Sequence, residues 1–212
     1  MTHSLGSTVT LLVLFALACA LVPRAAATIY VDANSTCTTS CGSAESPYAT
    51  IGEALRDTNN NNGEIVVRSG TYTGTNNYNL TVGSSNVVLR SESGDPATTV
   101  INCARQGPGL IVSSSTFTMQ GFTIRNCEAE NGGGMHISST YTVLRNIKFI
   151  GNHATKNGGS LWIKSNAVEA YNSTISASTS DNYGGGVYIE SANLKLFGSH
   201  VDGRQPWSVR GW

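Results

Sequence analysis

The sequence predicts an all-β chain wound as a right-handed parallel β-helix, with about 25 residues per coil and a short capping helix at its N-terminal end. Three observations lead there. The string Gly132-Gly-Gly-Met-His-Ile137 returns as Gly158-Gly-Ser-Leu-Trp-Ile163 and as Gly184-Gly-Gly-Val-Tyr-Ile189, each time after 26 residues. Between these blocks apolar pairs five residues apart recur: Met119 with Ile124, Leu144 with Phe149, Ala170 with Ile175, and Leu196 with Val201. Good helix formers are scarce, since only 12% of residues are charged while 23 are glycine.

A period in the twenties that holds several short alternating strands cannot bury one apolar face by itself. Each coil must stack on the next. On such a stack Met135, Ile137, Leu161, Ile163, Val187 and Ile189 point inward as two ladders, and His136, Trp162 and Tyr188 share an outward column. The glycine blocks then form a corner before the strand, where the backbone takes positive φ. They do not read as a phosphate loop, because no helix follows them and no Lys-Ser/Thr pair completes one.

In chain order, residues 1–27 read as a signal peptide. An apolar run from Val9 to Val22 is followed by small residues at Ala25 and Ala27 that suit cleavage. The run is shorter than the roughly 18 residues of a membrane span, so the mature chain is expected to lack one and to be secreted or displayed on the cell surface. Residues 28–63 hold a strand from Thr28 to Val31 and a helix from Tyr48 to Arg56. Thr50 and Glu53 have capping-box spacing there, and Ile51, Ala54 and Leu55 share a face. That face needs an apolar partner, which the open end of the first coil supplies. Coils occupy 64–201. Residues 202–212 lose the pattern, and their Gly, Pro and Arg offer little to cover a core; the expectation is an irregular tail on a truncated chain.

Without the leader, Cys37, Cys41, Cys103 and Cys127 remain, an even number suited to an oxidising compartment. The Asn-Cys pairs at 102–103 and 126–127 are 24 residues apart, close to one coil. This spacing places Cys103 over Cys127 within disulfide reach and leaves Cys37 to pair with Cys41. Asn34, Asn79 and Asn172 begin N-x-S/T sequons, glycosylation sites in a eukaryotic host.

Several of these residues resemble a known family. Tyr30-Val-Asp32, Ser46-Pro-Tyr-Ala-Thr-Ile-Gly-Glu-Ala-Leu55 and Gly70-Thr-Tyr-Thr-Gly74 resemble the opening of pectin-lyase-like parallel β-helix proteins. Gly159-Ser-Leu161, Gly185-Gly-Val187 and Phe149-Ile-Gly-Asn152 resemble the G-G-A-I and F-x-x-N repeats of polymorphic outer membrane proteins, with Gly or Ser where those prefer Ala. The resemblance covers roughly 28–201 and implies a polysaccharide-active enzyme or a surface β-helix.

For an enzyme the residues offer little. Glycoside hydrolysis needs two carboxylates facing one groove. Glu128, Glu130, Glu169, Asp181, Glu190 and Asp202 give no pair on adjacent outward positions. No acidic cluster suits calcium beside Arg145, Lys148, Lys156 or Lys164, and no His follows the cysteines at metal-ligand spacing. No catalytic residue, metal ligand or cofactor site is therefore singled out. The 13 basic and 13 acidic side chains leave no basic footprint for nucleic acid. The outward column His136, Trp162 and Tyr188 is the candidate binding surface, because aromatic faces along a solenoid accept sugar rings. The expectation is a non-catalytic adhesion or glycan-recognition module whose partner is an extracellular polysaccharide or glycoprotein; a polysaccharide lyase or glycoside hydrolase is the alternative.

Overall fold

A computed structural model describes residues 28–57, 63–165, 167–202 and 207–209; the predicted signal peptide, 1–27, lies outside the described residues. Every strand pairing is parallel, and the chain visits three walls in turn before returning to the first. The first wall stacks Ile29–Val31, Glu64–Val67, Val87–Ser91, Thr116–Gln120, Tyr141–Arg145, Ala167–Tyr171 and Asn193–Phe197. The second stacks Gly70–Tyr72, Thr99–Asn102, Thr123–Arg125, Lys148–Ile150, Thr174–Ser176 and His200–Val201. The third stacks Leu80–Val82, Leu110–Val112, Met135–Ile137, Leu161–Ile163, Val187–Ile189 and Trp207–Val209. A smaller sheet of Glu128–Asn131, His153–Asn157 and Thr179–Ser180 bridges the second and third walls. The fold is a parallel β-helix with about 26 residues per coil.

The register explains the sequence periods. Leu89, Met119, Leu144 and Ala170 form one inward ladder. Ile101, Ile124, Phe149 and Ile175 form the second. Leu110, Met135, Leu161 and Val187 form the third. All twelve side chains are buried, so each coil fills the space above the one before it. Leu161 lies between Met135 and Val187 and is 2% exposed.

The recurrent glycines turn the corner into the third wall. Gly132, Gly158 and Gly184 have φ of 64°, 65° and 63°, the left-handed region that other residues enter only at a cost. The following glycines answer to packing. A Cβ on Gly133 would lie against the carbonyl oxygens of His153 and Gly159, and one on Gly159 against those of Thr179 and Gly185. The corner is tight because its backbone bonds directly to the next coil, as in Gly158 N–H to Tyr183 O at 2.9 Å and Gly159 N–H to Gly184 O at 3.1 Å.

Ser160 stands where the neighbouring coils carry Gly134 and Gly186, and its hydroxyl is used. It lies 2.7 Å from the Ser178 hydroxyl and accepts from Asn152 Nδ2 at 3.2 Å. Asn152 also accepts from the Cys127 amide at 3.0 Å and donates to the Ile124 carbonyl at 3.1 Å. These buried polar groups thus satisfy one another and the backbone. One coil below, Cys127 occupies the place of Asn152 and is bonded to Cys103, with Cα atoms 4.7 Å apart. Cys37 and Cys41 are joined with Cα atoms 5.8 Å apart.

The helix runs Ile51–Asp57, starting later than the 48–56 span read from the sequence, because Thr50 is its cap. The Thr50 hydroxyl donates to Glu53 Oε2 at 2.5 Å and accepts from the Glu53 amide at 3.4 Å. Ile51, Ala54 and Leu55 are buried against the first coil, and Asn77 Oδ1 accepts from the Ile51 amide at 3.0 Å. Within 202–212, expected to be irregular, Trp207–Val209 pairs in register with Val187–Ile189. The glycine signal is lost there, but an apolar-polar-apolar triplet remains.

Truncating the central rung tests this packing. Leu161→Ala is expected to lower unfolding free energy by about 2–5 kcal/mol. Gly159→Ala, which adds one methyl, should also destabilise, by about 1–3 kcal/mol because the obstructing atoms are backbone. Urea midpoints of both variants check this.

Candidate functional site

The third wall presents Ile111, His136, Trp162 and Tyr188 outward in one column. Alternation along each three-residue strand puts these side chains outside while their neighbours fill the core. The His136 and Trp162 ring centroids are 4.1 Å apart at 53°, so the two half-buried rings pack on each other. Burial, and then the charge of Lys164, lower the His136 pKa below its ordinary value, while Glu190 acts in the opposite sense. Lys164 and Glu190 flank the column and pair at 3.5 Å.

Tyr188 is only 8% exposed and offers a ligand little of its ring. Tyr183 lies over it, with centroids 6.4 Å apart at 28°, and is 60% exposed. The accessible aromatic surface at the top of the column is therefore Tyr183, which the sequence reading does not single out. Tyr183 bridges to Asn157, which donates to Asn131 Oδ1 at 3.1 Å. Counting back 26 residues from Tyr183 to Asn157 and then to Asn131 would have revealed an aromatic in a column of asparagines.

Several acids of the coils are paired with a base. Lys156 pairs with Glu130 at 2.7 Å, Lys195 with Glu169 at 3.4 Å, Arg90 with Glu64 at 2.7 Å and Arg105 with Glu128 at 3.2 Å. Each joins neighbouring coils. His153 also has an acidic neighbour: its Nε2 is 3.7 Å from Asp181 and its Nδ1 is 3.0 Å from the Thr179 hydroxyl. Asp181 is two residues beyond the position that matches His153, outside the ladder that sequence spacing searches. Among the described residues no group of three or more His, Cys, Asp or Glu is placed to hold a metal.

At the capped end a groove of about 480 Å³ lies between the helix and Leu80–Val82, lined in part by Arg56, Asn76 and Tyr78. Asn34, Asn79 and Asn172 are all exposed. Among the described residues no helix is long and apolar enough to cross a membrane.

No protein-family model matches the chain, and no curated protein does. Among solved structures it is similar to the pectin methylesterase PemA from Erwinia chrysanthemi, at 13% identity and a TM-score of 0.51. That match covers 78% of this chain and 54% of the other, so this chain spans about half the length of that enzyme. A pectin methylesterase from Aspergillus niger is similar at 14% identity and a TM-score of 0.39, over 87% of this chain and 80% of the other.

The depressed His136 pKa has a consequence for stability. The unfolded chain binds a proton at this residue more readily than the folded one, so the contribution is full above the ordinary histidine pKa of about 6.5 and is lost as pH falls through the depressed value. His136→Gln is expected to flatten that part of the acid loss. Urea midpoints of both proteins between neutral and acidic pH measure it.

Proposed function

We propose that this chain of pectin-lyase-like fold is a secreted or surface-displayed, non-catalytic glycan-recognition module. Its contact surface is the outer side of the third wall, with Trp162 and Tyr183 as ring platforms, His136 as the support of Trp162 and Tyr188 as the support of Tyr183. The observation that carries this reading is the ring column itself, in which successive coils set His136, Trp162 and Tyr188 one strand spacing apart and Tyr183 covers the last. Flat apolar rings beside the Lys164–Glu190 pair suit a sugar, which has both a C–H face and hydroxyls. Two disulfides suit an oxidising compartment, and the exposed Asn34, Asn79 and Asn172 suit glycan attachment in a eukaryotic host.

A second reading, an enzyme acting on a polysaccharide, draws on the likeness to PemA, which is named as a pectin methylesterase. Against it stands the state of the carboxylates. Glu64, Glu128, Glu130, Glu169 and Glu190 each face a Lys or Arg of an adjacent coil, and none shares a groove with a second carboxylate through these pairs.

Retention on immobilised pectin and on a glycan array separates the readings. Wild-type protein is expected to be retained by at least one polysaccharide without consuming it. Trp162→Ala and Tyr183→Ala should each weaken that retention about ten-fold or more, as stacking contacts of about 1.4 kcal/mol and upward require. Release of methanol, reducing ends or unsaturated products would establish the enzyme instead.

A further inference from the structure

The first wall carries another outward column, in which Arg90, Gln120, Arg145, Tyr171 and Phe197 stand on successive coils. Its upper half is built differently from an ordinary solvated face. The Arg145 guanidinium carbon lies 4.3 Å from the centroid of the Tyr171 ring, and Tyr171 and Phe197 stack at 4.7 Å and 11°. A cation and two rings are thus layered one above another.

The adjacent column fixes that layer. Glu169 Oε2 accepts from the Tyr171 hydroxyl at 2.9 Å and from the Tyr141 hydroxyl at 2.7 Å, while Lys195 Nζ approaches Oε1 at 3.4 Å. The Tyr141 and Tyr171 hydroxyls, with Lys195, hold the Glu169 carboxyl below the usual carboxylate range. Glu169 is therefore ionised, saturated with donors and committed to orienting Tyr171. Arg145 has no such commitment. It is exposed, and none of the ion pairs among the described residues involves it. Arg145 and Lys195 together outnumber Glu169, which leaves one positive charge in excess on this wall.

A guanidinium over a ring face can still present its N–H fork to solvent, and that fork matches the two oxygens of a carboxylate or sulfate. Phe197, 44% exposed, adds an apolar ring one coil further along. We propose that the outer side of the first wall is a separate binding site for an oxyanion-bearing saccharide. Arg145 receives the anion, Phe197 takes the sugar face, and Glu169 with Tyr141 is the positioning pair that holds Tyr171 between them. This site does not depend on the third wall, which faces another direction and carries neutral rings.

Titrating the full mature chain with three probes tests the assignment: a polyuronate oligomer, a sulfated galactan oligomer and a neutral glucan oligomer, each at low and high salt. One or both anionic probes should bind, the neutral probe should not, and binding should weaken as salt rises. Preference between the two anions identifies carboxylate or sulfate as the recognised group. Arg145→Ala should weaken binding about ten-fold or more, since a charge-assisted pair is worth roughly 1.5–3 kcal/mol. Arg145→Lys should not restore it, because the fork and the stacking are lost together. Phe197→Ala should also weaken it, and both losses should be as large in a Trp162→Ala background, where the third-wall column no longer contributes, which distinguishes the two sites. Arg145 and Phe197 are exposed, so far-UV circular dichroism of their variants is expected to match wild type. Equal affinity for the neutral probe, no affinity for either anion, or anion binding that survives Arg145→Ala would overturn the proposal.

Discussion

Backbone hydrogen bonds from each coil to the next hold equivalent residues one strand spacing apart, and the rest of the molecule accommodates that distance. At about 4.8 Å there is room for side chains above and below a strand but little at a corner where carbonyls point along the stack. Glycine is needed at Gly133 and Gly159 for this reason, since their missing Cβ would meet the backbone of the neighbouring coil. Left-handed residues turn the other corners: Asn146 and Asn172 between the first and second walls, Asn126 and Gly151 after the second. Asparagine tolerates that conformation better than most side chains, which accounts for the Asn-rich turns.

The same stacking organises charge. Lys156 and Glu130 are 26 residues apart, as are Lys195 and Glu169, so these partners stand on adjacent coils. Individually such exposed pairs contribute about 0–1 kcal/mol. Their effect is on register, because a slip of one residue would turn a charged side chain inward and separate it from its partner. Pairing of this kind suits an even balance of acids and bases. Arg145 departs from this arrangement, since its neighbour in the column is a ring.

Periodicity made the walls legible in the sequence. The inward ladders through Met135, Leu161 and Val187, the outward column through Trp162, and the stacking of Cys103 on Cys127 all follow from counting residues at constant coil length. Features that depend on diagonal neighbours or on corners were not legible. Tyr141 and Glu169 are 28 residues apart, and their contact crosses the ladder. Tyr183 sits at a corner, where it reads as part of a turn. The ring beside Tyr188 was equally hidden, because Tyr183 belongs to a corner and not to the column. Strand Trp207–Val209 lacks the glycine block on which repeat counting relied.

Burial is not uniform along the stack. Around the first coils a helix covers the apolar interior and a covalent bond ties Cys103 to Cys127, whereas on the last complete first-wall strand Leu196 is 37% exposed. In a solenoid each coil is stabilised only by its neighbours, so separation starts where a coil has the least buried area. Opening therefore follows local burial: rungs with more exposed inward side chains, such as Asn193–Phe197, separate before the coils held by Cys103 and Cys127. Amide exchange should be graded along the axis, and under tension the molecule would lengthen in steps of about one coil while its helical end stays wound.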